Sequence, residues 1–568
     1  MPKSKVALLV YSVLLVAILL PPHVIGIDRY VTIDEPWWVI SGSNFYYALG
    51  QREFEQTIYD YHPAVTTTWV VAAGMLSYFP EYRGFGQGYF DVRKDHFEKF
   101  MEKHGKQPLD LVRNSRLIQT ALIAAFALIA FWLLASMLDL LTALLAVVLA
   151  LNAPFFLGHS RLLNHEGMLS VFALVSVLGA YVYVFHGRKL IVLAVSAVAA
   201  ALAQLTKSSA IVVLPLFGLM LFIALFRGEG QRTFWMKVSD SVRAFVLWFA
   251  MLAVVYVVLW PGMWVAPGKM LSEVYGNAFS YAFQGSRVAA AESAAEVSLP
   301  NIGGGIAQSF VYLNSMLSRT TPVTWVGFLL AVAGLFDKNG ARRLTLLLGS
   351  TGLLIVFMFG LAKGRDSAHY ILSSYVFFDV VAGLGYAWGL VRAASRWPAW
   401  NQVWVRYGAA LVLILLQIAG SLPFYPYYTT YYNPMMKALR GGSMVTGYGE
   451  GLSEAARYLA QKPNAQDLKA FVYNGMGTFS FFFPGETMVF KKAYLWEPGV
   501  PDVVNGIRSA DYLVILTVTQ KSLEESQTLL SALEAYTPEK VIYVNGTDAA
   551  RIYRTAEFAP EFFIEIAE

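Results

Sequence analysis

The sequence predicts a polytopic α-helical membrane protein of about eleven transmembrane helices, followed by a small α/β soluble C-terminal domain. Three observations predict it. The 568 residues are 57% hydrophobic and only 14% charged, with a mean hydropathy of +0.50. That leaves too little polar surface to solvate the whole chain. Apolar runs close to the ~20 residues that cross a bilayer recur from the N-terminus to about residue 422. From residue 423 the pattern changes to short alternating runs between helix-like stretches.

The expected spans are 6–27, 114–136, 141–157, 167–186, 190–206, 208–226, 244–261, 323–336, 344–361, 369–391 and 406–422. The first lacks a small-x-small cleavage site and ends at Pro21-Pro22, so it reads as a retained anchor and not a signal peptide. Orientation follows from lysine and arginine. With the N-terminus inside, inner segments hold Lys3, Lys5, Arg188, Lys189, Arg227, Arg232, Lys237, Arg243, Lys338, Arg342, Arg343, Arg392, Arg396 and Arg406. Short outer turns hold only Arg161, Lys207, Lys363 and Arg365, so the count is fourteen against four. The expectation is a multi-pass cell-membrane protein with a cytoplasmic N-terminus and an extracytoplasmic C-terminal domain. Segments 28–113, 262–322 and 423–568 are then the long outer ones, and 64–80 reads as an interfacial or re-entrant helix. The domain division is 1–422 for the membrane unit and 423–568 for the tail, whose expected strands lie at 469–473, 511–518, 541–544 and 551–554.

The absence of cysteine excludes disulfides, zinc–thiolate sites and thiol nucleophiles. The net charge of +5 is modest and reads as topology signal, not as nucleic-acid affinity. No tandem repeat or low-complexity tract is present.

Five polar constellations fall on the outer side. Asp34-Glu35, before Pro36-Trp37-Trp38, offers a base and an orienting partner, or merely a helix cap. His62, in Tyr61-His62-Pro63-Ala64, suits a phosphate or metal, or simply ends a turn. Arg161 and Glu166 flank the turn 158–166 and would either pair with each other or serve a site. Lys207 would snorkel to headgroups or bind a phosphate. Arg365, His369 and Tyr370 suit a phosphate, and equally an anionic headgroup. Carboxylates with several cations at one membrane face fit one chemistry well. A base activates a hydroxyl while fixed cations hold the phosphate leaving group of a lipid-linked sugar.

On these residues the chain resembles the GT-C integral-membrane glycosyltransferases, and is similar to the branch holding protein O-mannosyltransferases and the lipid A aminoarabinose transferase. The matching elements are Asp34-Glu35, His62-Pro63, Arg161 with His165-Glu166, Leu205-Thr206-Lys207 and His369-Tyr370. The resemblance implies a polyprenyl- or dolichyl-phosphate sugar donor and inversion at the anomeric carbon. It also implies Asp34 as base, with Glu35 orienting it or touching the acceptor, and Arg161 and Lys207 engaging the donor or holding the site together. Two departures stand out. The usual His-Pro-Pro is His62-Pro63-Ala64, and the usual Arg-Tyr is His369-Tyr370, with Arg365 as a replacement cation. No cofactor is expected, and no second acidic pair argues for a divalent metal. The partners expected are the lipid-linked donor, the membrane and an unidentified glycan, lipid or protein acceptor.

In the tail, the aromatic residues between Phe424 and Tyr432 read as an interfacial belt, and Gly447-Tyr448-Gly449-Glu450-Gly451 as a turn before a helix. A transporter or flippase of lipid-linked glycans is the alternative. It predicts repeated halves and charges at mid-membrane, whereas here no halves match and the charges cluster at helix ends.

Overall fold

The computed structural model describes residues 4–85, 96–227, 233–284, 302–337, 341–362, 367–442, 447–490, 502–517 and 524–566. Arg365, expected in the site, lies outside the described residues. The chain opens with α1 (Lys5–Val24), α2 (Glu35–Gln51), α3 (Val65–Tyr78) and α4 (His96–Lys103). Then come α5 (Pro108–Met137), α6 (Leu140–Leu151), α7 (Pro154–Ser160), α8 (Glu166–Phe185), α9 (Leu190–Thr206), α10 (Val213–Leu225) and α11 (Phe234–Leu259). After short turns of helix follow α12 (Ile302–Arg319), α13 (Pro322–Gly334), α14 (Arg342–Leu361), α15 (Leu372–Arg396) and α16 (Val403–Ser421).

Eight of the described helices are long and apolar enough to cross a bilayer. Two further candidates are bent pairs, α6 with α7 at 66° and α12 with α13 at 119°. The 17-residue apolar α9 is the eleventh. The straight span expected at 141–157 is therefore broken. Pro154 opens α7 at its first turn, where its missing N–H costs nothing. Residues 302–319, expected within an outer loop, are helical and meet the next span at a sharp corner. Large apolar side chains stay exposed where hydrocarbon would cover them: Leu9 65% on α1, Val254 61% on α11 and Leu411 56% on α16. Inside the bundle, helices approach through small residues. A Cβ at Gly385 would stand 1.9 Å from the Gly327 carbonyl oxygen, so α13 and α15 touch backbone to backbone.

At 14 residues, α3 spans about 21 Å, short of a roughly 30 Å hydrocarbon core. The interfacial surface expected for 64–80 is corrected in one respect. Val65, Thr67, Val71 and Met75 are buried, and α3 packs against α2 and α5.

The C-terminal part adds α17 (Leu452–Ala460), α18 (Asp502–Ser509) and α19 (Glu524–Leu533) around five strands. The strands are β1 (Lys469–Tyr473), β2 (Glu486–Phe490), β3 (Tyr512–Leu516), β4 (Lys540–Val544) and β5 (Thr547–Arg554). Their order is β2-β1-β3-β5-β4. β1 runs parallel to β2 and β3, and β5 antiparallel to β3 and β4. Buried Val472, Leu513, Val514 and Ile552 form the core with Leu459 of α17. Strand β2 and α18 are additions to the sequence reading.

Half of the six aromatic residues after α16 turn inward instead of forming a membrane belt. Tyr427, Tyr428 and Tyr431 are buried at the junction with the C-terminal part. Tyr427 lies 4.6 Å from the Tyr30 ring, and its hydroxyl meets Ser453 and Glu454 at the start of α17.

Candidate active site

The corner before α2 separates its two carboxylates. Glu35, the first residue of α2, reaches back to Thr32, its Oε2 accepting the Thr32 N–H at 2.7 Å and the Thr32 hydroxyl at 3.0 Å. The Glu35 carboxylate is fully buried. Arg116 of α5 grips both its oxygens, through Nε at 2.8 Å and Nη2 at 2.5 Å. The Leu163 N–H donates to it at 2.7 Å. Arg116 also donates to the carbonyls of Ile27 and Tyr30. Glu35 is thus locked inside the protein, which corrects the expectation that it touches an acceptor. Asp34 sits at the same corner, exposed, and its side chain takes no part in the helix cap.

Four of the eight histidines gather behind this corner. Trp38, one turn along α2, meets His165 edge-on at 5.2 Å. His165 lies 5.2 Å from His62, and His159 lies 5.6 Å from His369. Between them Lys207 and Glu166 form a buried ion pair. The Lys207 ammonium also stands over the Tyr370 ring at 4.7 Å and the Phe359 ring at 5.8 Å. Lys207 therefore does not snorkel outward, and at 1% exposure it serves an interior pocket.

The departure at Ala64 has a structural reason. Ala64 adopts φ +47°, which proline cannot reach. Its N–H, which proline lacks, donates to the Thr206 carbonyl at 3.2 Å. Thr66 and Thr206 hydroxyls bond at 2.7 Å. The His62 loop is thereby tied to the end of α9, where Lys207 begins the next turn.

Three buried polar atoms in this cluster have no hydrogen-bond partner among the described residues: His62 Nδ1, His165 Nδ1 and Glu166 Oε2. Buried polar atoms normally find partners, so these three are open to the polar groups of a ligand. Burial, followed by the nearby Lys207 charge, holds the His62 imidazole well below its ordinary pKa. It is neutral at pH 7, able to donate or accept.

Two residues that the sequence reading did not place in the site complete the enclosure. Tyr448 comes from the glycine-rich turn before α17. Its hydroxyl lies 2.7 Å from His369 Nδ1, and its carbonyl accepts the Ile33 N–H, next to Asp34. Arg319, the last residue of α12, stacks over Phe155 at 4.8 Å, bonds Ser315 through Nε at 3.2 Å, and lies within electrostatic reach of His159 and Tyr448. A residue 79 positions from its partner gives no local signal, and Arg319 sat in a segment read as loop.

Arg161 does not join the cluster. It donates to the Pro22 and Ile25 carbonyls at 2.7 and 2.6 Å, and its guanidinium lies over the Tyr425 and Tyr428 rings. It fastens the end of α1 to the aromatic junction, and does not pair with Glu166.

One cavity adjoins the site and a second lies apart from it. One of about 430 Å³ starts at His62 and Lys207 and is walled by Phe279, Phe283, Met358 and Phe359. A cleft of about 980 Å³ lies between α4 and β2, bordered by Glu98, Glu102 and Met476. No group of three His, Asp or Glu side chains among the described residues is arranged to hold a metal.

No family model matches the sequence, and no curated protein matches it. Similar solved structures include ArnT from Cupriavidus metallidurans bound to undecaprenyl phosphate, at 13% identity and a TM-score of 0.48 over 97% of this chain and 98% of that one. Another is the archaeal oligosaccharyltransferase AglB from Archaeoglobus fulgidus, in complex with an inhibitory peptide and a dolichol-phosphate. It shows 11% identity and a TM-score of 0.47 over 99% of this chain and 77% of that one. The S. cerevisiae protein O-mannosyltransferase Pmt1-Pmt2 complex bound to the sugar donor scores 0.33, at 15% identity over 46% of this chain and 33% of that one.

Proposed function

We propose that the chain is an integral-membrane glycosyltransferase that moves a sugar from a polyprenyl- or dolichyl-phosphate donor to an acceptor hydroxyl on the outer side of the membrane. The observation that carries this reading is the convergence of exposed Asp34, the Lys207–Glu166 pair and the orphaned His62, His165 and Glu166 atoms beside an apolar cavity. A lipid-linked sugar phosphate has that bipolar shape, with an anionic head against donors and a hydrocarbon tail against aromatic walls.

In this reading the donor phosphate lies near Lys207, His62 and His369, with Tyr370 below the ammonium. The tail follows the wall of Phe279, Phe283 and Phe359. The acceptor approaches from the exposed side of the corner before α2, where Asp34 lies. Asp34 takes the proton of its hydroxyl, the oxygen attacks the anomeric carbon from the face opposite the phosphate, and the carbon–oxygen bond to phosphate breaks. The bonding pair leaves on the polyprenyl phosphate, where preformed donors meet the developing charge without reorganising. The configuration inverts. Glu166 offsets the Lys207 charge, so neutral imidazole N–H groups supply much of the contact to phosphate.

The test is mass spectrometry of glycolipids and glycoproteins from membranes of cells with and without the chain. Loss of one sugar mass from a single acceptor class, with the lipid-linked donor accumulating, is expected. Identical profiles, with reconstituted chain moving lipid-linked sugar across vesicles unhydrolysed, would favour a flippase instead.

A further inference from the structure

Three buried or half-buried arginines surround the site, and they spend their donors differently. Arg116 gives its guanidinium to Glu35 and two carbonyls, and Arg161 gives its own to two carbonyls. Arg319 is half-buried and spends almost nothing. Its Nε donates to the Ser315 hydroxyl at 3.2 Å, one turn back on α12, and its two terminal nitrogens bond nothing among the described residues. It forms no ion pair among those residues either, although buried Glu450 lies within electrostatic reach. The guanidinium lies over the Phe155 ring at 4.8 Å. A cation held over a ring keeps its N–H groups for other partners. Withdrawing a charge from water without a counter-charge is costly, and an anionic ligand would repay it.

The backbone that carries Arg319 is clamped on both sides. Asn433, fully buried in the segment after α16, donates its N–H to the Ser318 carbonyl at 2.8 Å and its Nδ2 to the Thr320 carbonyl at 2.7 Å. Thr321 then caps α13, its hydroxyl accepting the Thr324 N–H at 3.1 Å. The 119° corner between α12 and α13 is fixed by these bonds, with Arg319 at its tip. The Phe155 ring beneath the guanidinium is 4.8 Å from the rings of both His159 and Tyr375. His159 lies within electrostatic reach of Arg319 and of Lys207, and Tyr448 within reach of Arg319 and of Asp34. Arg319 does not line the apolar cavity that starts at His62 and Lys207. The chain thus holds one cation at the lipid cavity, offset by Glu166, and a second off that cavity with no counter-charge bonded to it.

We propose that Arg319 forms a second anion subsite, which takes a phosphate or carboxylate group carried by the acceptor. The planar fork of a guanidinium matches either group with two parallel hydrogen bonds. The donor phosphate is not the occupant. It stays joined to a tail in the cavity at Lys207, which Arg319 does not border. Assigning the anion to the acceptor rests on the glycosyl-transfer reading, and the anion subsite itself does not.

The experiment has two arms. In the first, the full chain in nanodiscs is treated with phenylglyoxal, which modifies accessible guanidinium groups, and each arginine is followed by peptide mass spectrometry. With undecaprenyl phosphate saturating, Arg319 is expected to react, and inorganic phosphate to slow that reaction several-fold while exposed Arg342 reacts as before. An unreactive Arg319, or one that phosphate leaves unprotected, overturns the subsite. Protection by undecaprenyl phosphate alone moves the guanidinium to the donor and overturns the acceptor assignment. In the second arm, the acceptor revealed by the lost sugar mass is expected to carry a phosphate or carboxylate. Arg319→Gln should raise the KM for that acceptor about tenfold or more with kcat little changed, and Arg319→Lys should recover part of the loss. An acceptor with neither group overturns the proposal. Phosphate protection in a chain that transfers no sugar would keep the anion subsite and reject the glycosyltransferase reading.

Discussion

Asp34→Asn is expected to abolish sugar transfer while leaving the chain folded and inserted. The substitution keeps the size of the side chain and removes its ability to accept a proton. General-base catalysis contributes about 10²–10⁴-fold, so the rate should fall by at least about 100-fold, in kcat more than in donor KM. The exposed side chain takes no part in the cap of α2, so little stability should be lost. The carboxylate that holds this corner is that of Glu35, reaching back to Thr32. Single-turnover transfer in detergent micelles, paired with thermal unfolding of the same preparation, separates the two quantities. Full activity in the variant would remove Asp34 from the mechanism.

The second large effect is on stability and belongs to the neighbouring carboxylate. Arg116→Ala should destabilise the chain by about 3–5 kcal/mol, the usual cost of stranding one member of a buried ion pair. Arg116 is 2% exposed and Glu35 is fully buried. Besides the two bonds to Glu35, the guanidinium satisfies the carbonyls of Ile27 and Tyr30. Lysine has no planar fork and should rescue only in part. Arg116→Met combined with Glu35→Gln removes both charges and should recover much of the loss, with a coupling between the sites well above their separate noise. The measurement is the temperature at which the detergent-solubilised protein loses its monodisperse peak. An Arg116→Ala chain as stable as the parent would mean that Glu35 is not held as the geometry requires, and would reopen a direct role for it at the acceptor.

These two residues show how far the sequence could be read. Adjacent acids before Pro36 were legible as a pair with a function or a cap, and the structure divides the two uses between them. The information that divides them is Arg116, 81 positions from Glu35, inside an apolar run where only its burial distinguishes it from a positively charged helix end. The spans were legible because hydrocarbon imposes length and apolarity on each helix independently. The bends were not, since a corner at 153 or 321 depends on what packs around it. His62, Glu166, Lys207, His369 and Tyr370 were legible as polar residues at helix ends on one face, and the structure brings them together. Arg161 carried the same signal and turned away, because the Pro22 and Ile25 carbonyls at the end of α1 lay within its reach. Tyr448 was read as a turn residue. The glycines around it gave the turn, but its destination depended on how the C-terminal part docks.

The most direct measurement is a cryo-EM structure of the chain with a polyprenyl phosphate in a lipid nanodisc. The phosphate is predicted beside Lys207, His62 and His369, with the tail along Phe279, Phe283 and Phe359 and the Asp34 carboxylate facing the head. A phosphate bound elsewhere, or walled off from Asp34 by closed protein, would contradict the account.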